Sequence, residues 1–165
     1  MKKWLSIIIL IILVFSTSGC IESSDKIWGN APDFTLTTIN GENFTLSDHQ
    51  GKIIVIDLMA TWCGPCVLQM PELQKTLEEK RDEIVLVSVD IDKRETSDDV
   101  INTFGDYVDN WTFVMDTYEE DVGGKYHADY IPKLVIVNKE GNIYYSESGL
   151  TSKEKLIELI NGASG

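Results

Sequence analysis

The stretch IVIDLMATWCGPCVLQMPEL, residues 54–73, decides how this chain folds. Residues 53–58 are apolar throughout except for Asp57, as expected of a central strand covered on both faces. Two cysteines, Cys63 and Cys66, follow at once. From Gly64 to about Arg81, Val67, Met70, Leu73 and Leu77 recur at helical spacing, which predicts an amphipathic helix. Pro71 inside that helix predicts a kink. A buried strand thus delivers two thiols to the start of a helix, with a carboxylate where burial of a charge is costly.

Outward from this core, FTLTTINGENFTL (34–46) alternates apolar and polar residues on both sides of Asn40-Gly41, a strong hairpin signal. EIVLVSVDI (83–91) reads as a second buried strand and WTFVMD (111–116) as a third short one. TSDDVINTFGDYV (96–108) reads as a helix capped by Thr96 or Ser97, with acids in its first turn. EEDVGGKYHADY (119–130) reads as a short helix weakened by Gly123-Gly124. KLVIVNKEGNIYYSES (133–148) is a hairpin turning at Glu140-Gly141-Asn142. TSKEKLIELING (151–162) is a closing helix with a capping box from Thr151 to Glu154 and Gly162 at C′. Strands alternating with helices, then hairpin and helix, predict an α/β domain over residues 32–165. Its sheet should be mixed, flanked by helices, and extended by the N-terminal hairpin. The acidic stretch DIDKRETSDD (90–99) lacks the pattern of an EF-hand loop and reads as a solvated surface loop.

The net charge of −13 argues against a nucleic-acid partner. The first residues, MKKWLSIIILIILVFSTSGC, carry two lysines, a short apolar run and small residues before Cys20. That is the layout of a secretory signal over residues 1–19, and the run is short for a membrane span. The small residues resemble a lipobox, which makes Cys20 a candidate lipidation site, although Thr17 stands where Leu is usual. An uncleaved anchor and ordinary cleavage are the alternatives. Without residues 1–19 the chain carries 12 basic and 27 acidic residues, a net charge of −15. Residues 20–31 read as a polar tether. The expected location is therefore outside the cytoplasmic membrane and anchored to it.

Only Cys63 and Cys66 remain in the domain, so a disulfide framework joining distant segments is excluded. A zinc site would need four ligands, and His49 and His127 lack the spacing to supply them; no metal and no cofactor is expected. Thiol–disulfide exchange fits better. At a helix start, unpaired N–H groups and the dipole stabilise a thiolate. Cys63 is then the exposed, low-pKa nucleophile, and Cys66, one turn further in, attacks the mixed disulfide. Pro65 stiffens the first turn, where a proline forfeits no hydrogen bond. Asp57, six residues before Cys63, is placed to take the proton of Cys66; the alternative is a strand-end carboxylate bonded to a lysine or the backbone.

VIDLMATWCGPC (55–66) resembles the active-site segment of thioredoxins, and Trp62 to Cys66 reproduces WCGPC in full. Asp57 falls where thioredoxins carry their buried proton-transfer aspartate. YIPKLVIVNKEGNI (130–143) resembles the segment whose proline follows a cis bond and faces the cysteines. The resemblance therefore implies a cis Ile131-Pro132 bond, with Ile131 pairing to a substrate strand. Trp62, Gly64, Pro65, Ile131 and Pro132 become substrate-groove residues. The N-terminal hairpin, the signal and the segment around residues 91–130 resemble the membrane-attached TlpA/ResA-type reductases. Many of these carry Glu on the active-site helix where this chain has Gln69, which leaves proton transfer to Asp57.

The resemblance implies exchange with protein thiols and disulfides, recharged by a membrane electron donor. The Gly-Pro dipeptide, shared with thioredoxin at about −270 mV, leans toward a reductant. Two alternatives stay open. Peroxiredoxins share the APDFTL opening (31–36), but their motif places Thr and Pro where this chain has Ala60 and Ile56. A surface-tethered binding module with an inert disulfide is the other. Asn43 and Asn110 match the glycosylation sequon.

Overall fold

The computed structural model describes residues 29–165. The proposed signal, Cys20 and most of the tether lie outside the described residues. Seven strands form one mixed sheet in the order β2-β1-β5-β4-β3-β6-β7. The strands are β1 (Thr35–Thr38), β2 (Asn43–Thr45), β3 (Ile53–Met59), β4 (Ile84–Asp90), β5 (Thr112–Met115), β6 (Lys133–Val137) and β7 (Ile143–Ser148). The helices are α1 (Gly64–Lys80), α2 (Ser97–Phe104), α3 (Val122–Lys125) and α4 (Lys153–Gly162).

The centre is parallel, with β3 beside β4 and β4 beside β5. Both edges are antiparallel: β6 and β7 beyond β3, and the β1–β2 hairpin beyond β5. The N-terminal hairpin is thus part of the main sheet, through Thr37 opposite Met115 and Thr38 opposite Val114. The steps from β3 to β4 and from β4 to β5 run in one direction. Right-handed crossovers therefore place α1 and α2 on the same face. Alternation along the strands divides the core into two layers. Ile53, Val55, Met59, Leu86, Phe113, Leu134 and Ile136 pack with α1, α2 and α4, and both cysteines lie in this layer. Ile54, Ile56, Leu58, Val87, Val89, Val135 and Val137 pack on the other face under Phe34, Leu36, Phe44, Val122 and Tyr126.

Two expected details of helix ends are corrected. Ser152, not Thr151, caps α4, accepting the Lys155 N–H at 3.4 Å. Thr151 is buried and committed elsewhere. Gly162 is the last residue of α4, and the C-cap Ala163 is right-handed with φ −73°. Its glycine serves packing instead, since a Cβ there would run into the Tyr144 hydroxyl. At α2 the Thr96 capping box forms with Asp99, and the helix stops at Phe104, short of Val108. α1 runs unbroken past Pro71 to Lys80, although proline can give no hydrogen bond to the preceding turn.

Candidate active site

β3 ends at Met59, and a four-residue connection brings Cys63 to the N-cap of α1. Cys63 and Cys66 are joined in a disulfide, with their Cα atoms 5.2 Å apart. The Cys63 Sγ also accepts the Cys66 N–H at 3.1 Å, as an N-cap side chain does. Gly64 and Pro65 form the exposed first turn of α1. Sequence reasoning expected an exposed Cys63; it is instead buried, 4% exposed, beside a Cys66 that is not exposed at all, because the disulfide draws both sulfurs into the apolar layer. The sulfurs belong to the apolar layer under α1, with Ile131 packed against it. Only Cys63 of the two retains any solvent contact.

Asp57 is fully buried. Its position in β3 has the same parity as Ile53, Val55 and Met59, so it points into the layer that holds the cysteines. Its partner is neither a lysine nor the backbone. The Ser88 hydroxyl, on the register neighbour in β4, donates to Asp57 Oδ2 at 2.9 Å. Trp111 Nε1 donates in turn to the Ser88 oxygen at 3.0 Å, which fixes the hydroxyl's direction. Asp57 Oδ1 has no protein partner. Burial pushes this carboxyl up to about 7, against a smaller downward pull from Ser88. A group titrating there can hold or release a proton near neutral pH.

The bond between Ile131 and Pro132 is cis. Pro132 is buried immediately before β6, the strand that pairs with β3 beside Asp57 and Leu58. Its carbonyl accepts the Gly149 N–H at 2.7 Å. Large apolar side chains are left in solvent on the motif itself, at Trp62, Val67 and Leu68, and on the two segments joined by the Pro132–Gly149 bond, at Tyr130 and Leu150. Leu68, Tyr130 and Leu150 went unnoticed in the sequence; an exposed residue beside a motif carries no periodic signal.

The stretch 90–99 is only in part the solvated loop expected: Arg94, Thr96, Asp98 and Asp99 are exposed, while Asp90, Asp92 and Glu95 turn toward the site. Asp92 Oδ2 accepts the Trp62 indole N–H at 2.8 Å, and Asp92 also pairs with Arg94. Arg94, then Trp62, hold the Asp92 carboxyl well below the usual range. Glu95 accepts the Thr61 N–H at 2.9 Å and the Thr61 hydroxyl as well. Asp90 is fully buried, with one oxygen on the Asp92 N–H and the other without a partner. Burial, and then the facing Glu95 carboxyl, push Asp90 upward. Away from the site, His49 stacks on Phe44 at 4.7 Å, and His127 follows α3 with φ +53°. Among the described residues no group of three or more His, Cys, Asp or Glu side chains is placed to hold a metal ion.

The AhpC/TSA family profile matches residues 27–146 of the chain. The chain belongs to this family. It is 31% identical to the thioredoxin-like protein YneN of Bacillus subtilis over 98% of both chains. It is 29% identical to the thiol-disulfide oxidoreductase ResA of Bacillus thuringiensis, over 84% of this chain and 79% of that one. A thiol:disulfide interchange protein of the thioredoxin family from Chlorobium tepidum superposes with a TM-score of 0.69 at 23% identity, over 83% of this chain and 97% of that one. The protein is thus a thioredoxin-like, TlpA/ResA-type thiol-disulfide oxidoreductase of this family. The peroxidase alternative is not favoured. Ile56 and Ala60, where the peroxiredoxin motif carries Pro and Thr, are both buried and apolar. The inert-module alternative is not favoured either, given relatives named as oxidoreductases.

Proposed function

We propose that this oxidoreductase reduces disulfides of protein substrates outside the cytoplasmic membrane. The observation that carries the reading is the placement of the Cys63 sulfur. It lies at the N-cap of α1 on the Cys66 N–H, with Trp62, Val67 and Leu68 of the same motif exposed as apolar side chains. A thiolate there is stabilised by the helix terminus, and an apolar rim suits an extended peptide.

In the reduced enzyme, the Cys63 thiolate attacks one sulfur of the substrate disulfide and expels the other as a thiolate. The Cys66 thiol passes its proton toward Asp57 and attacks Cys63 Sγ in the mixed disulfide. The second substrate sulfur leaves, two electrons have passed to the substrate, and the Cys63–Cys66 disulfide remains. Trp62, Gly64, Pro65, Ile131 and Pro132 form the groove, with Ile131 offering backbone groups to the substrate strand. A membrane dithiol donor returns two electrons and two protons.

Residues 1–19 act as the export signal, Cys20 as the lipid attachment point and residues 20–31 as the tether to the domain at 32–165. The lysines, apolar run and Cys20 of the N-terminal segment support this reading; no helix of the described residues is long and apolar enough to cross a membrane.

The test is the reduction potential with insulin reduction beside it. A potential near −270 mV with insulin turnover supports a reductant. A potential below roughly −300 mV without turnover supports an inert disulfide. Loss of radiolabelled fatty-acid incorporation in Cys20→Ala tests the anchor.

A further inference from the structure

Gln69 is fully buried on α1, one turn after Cys66. Both ends of its amide are committed to one residue 82 positions away. Its Nε2 donates to the Thr151 carbonyl at 2.9 Å, and its Oε1 accepts the Thr151 N–H at 2.8 Å. Glu72, the next residue on that side of α1, accepts the Lys153 N–H at 2.8 Å. The segment 149–153 is thereby fastened to the cysteine helix. Its other end, the Gly149 N–H, holds the Pro132 carbonyl, and Leu150 between them is one of the exposed apolar residues at the rim.

We propose that Gln69 is a positioning residue: its amide ties the 149–151 segment to the cysteine helix and so sets the distance between the cis-Pro132 wall of the substrate groove and the Cys63–Cys66 pair. A planar amide, or a protonated acid, presents a donor and an acceptor side by side, as the Thr151 carbonyl and N–H require. A carboxylate would satisfy the Thr151 N–H and confront its carbonyl. The inference rests on the reductase reading and adds to it a residue whose side-chain hydrogen bonds go to Thr151 alone.

Charges nearby leave this contact undisturbed over the working range. On α1 Glu72 is held below the usual range by Lys75, and Lys75 is raised by Glu72. At α4 Lys153 is raised by Glu79, and Glu154 is lowered by the N–H groups of the helix start. Under α1, Asp57 titrates near 7, so each variant is read as a ratio to the wild type at the same pH.

The experiment measures reduction of insulin, a protein disulfide that fills the groove, against reduction of a small aromatic disulfide that does not. In Gln69→Leu, KM for insulin should rise about tenfold through loss of the two hydrogen bonds that fix the wall. The kcat for insulin and the small-disulfide rate should stay within twofold. In Gln69→Glu, burial keeps the new carboxyl protonated at pH 5, so its KM ratio to wild type should be close to one there. At pH 8 the ratio should approach that of Gln69→Leu. Thermal melts at pH 5 certify the Glu variant's fold, so the test stands even if Gln69→Leu does not fold.

A Gln69→Glu ratio equal at pH 5 and pH 8 overturns the inference. So does a Gln69→Leu loss shared equally by insulin and the small disulfide. A wild-type enzyme that reduces neither disulfide overturns the reductase reading itself, and this inference with it.

Discussion

The disulfide lies between two walls built from opposite chemistry. On one side, residues 90–95 reach the motif through carboxylates: Asp92 to the Trp62 indole, and Glu95 to the Thr61 backbone and hydroxyl. On the other side, residues 130–132 and 149–151 are held through neutral groups. These are the Gly149 N–H on the Pro132 carbonyl and the Gln69 amide on Thr151. The acidic wall should respond to pH and the neutral wall should not. Asp57 is buried like Asp90, but it faces the Ser88 hydroxyl where Asp90 faces the Glu95 carboxyl.

The difference can be broken first at Asp57. Asp57→Asn should slow resolution of the mixed disulfide about 100-fold at pH 7, because a general base is lost. The first attack by Cys63 should be unchanged in stopped-flow measurements. Stability should move the other way. The folded carboxyl titrates near 7, against 3.8 in its ordinary state, so the folded protein binds the extra proton. Wild-type stability therefore falls as pH rises from about 4 to about 7 and then levels off. By pH 8 the oxidised Asn variant should exceed wild type by up to about 4 kcal/mol in urea unfolding, with the gap closing near pH 4.

Next in size is Glu95→Gln. An amide can keep the Thr61 N–H on its oxygen and reverse the other contact, donating to the Thr61 hydroxyl oxygen, but the charge assistance of both bonds is lost. About 1 kcal/mol of stability should be lost by denaturant titration. The burden on Asp90 from the facing carboxyl should also be relieved, so the acidic wall should lose part of its pH dependence. A smaller effect is expected at Asp92→Ala, whose partners are exposed and screened by solvent. Insulin reduction should fall less than threefold, while the Trp62 fluorescence anisotropy drops as the indole is freed. Smallest is Ser88→Ala. Removing the one hydrogen bond that favours ionised Asp57 should move the resolution pH profile upward and leave its maximum nearly unchanged.

Much of this was legible in the chain itself. Residues 54–73 announced strand, thiols and helix because apolar periodicity and the WCGPC spacing are local. Asn40-Gly41 announced a hairpin for the same reason. What the sequence hid were partners set by sheet register and by loop return. Ser88 meets Asp57 because β3 and β4 align those positions, 31 residues apart. Trp111 reads as a strand-start aromatic until β5 brings its N–H to Ser88. The stretch 90–99 looked solvated because charge composition alone cannot tell an acid facing water from one facing Thr61 or Trp62. Thr151 looked like a cap because its spacing to Glu154 is right, yet its backbone is taken by Gln69 and the next hydroxyl caps instead.

Trapping separates the roles of the two sulfurs, Cys63 as the attacking thiolate and Cys66 as the resolving thiol. Cys66→Ser, expressed in cells and quenched with acid, should accumulate mixed disulfides with substrate proteins, released by dithiothreitol and seen on non-reducing gels. Cys63→Ser should accumulate few, since Cys66 is fully buried and lies past the helix terminus. The reverse pattern, with adducts on Cys63→Ser and none on Cys66→Ser, would contradict the assignment of the two sulfurs.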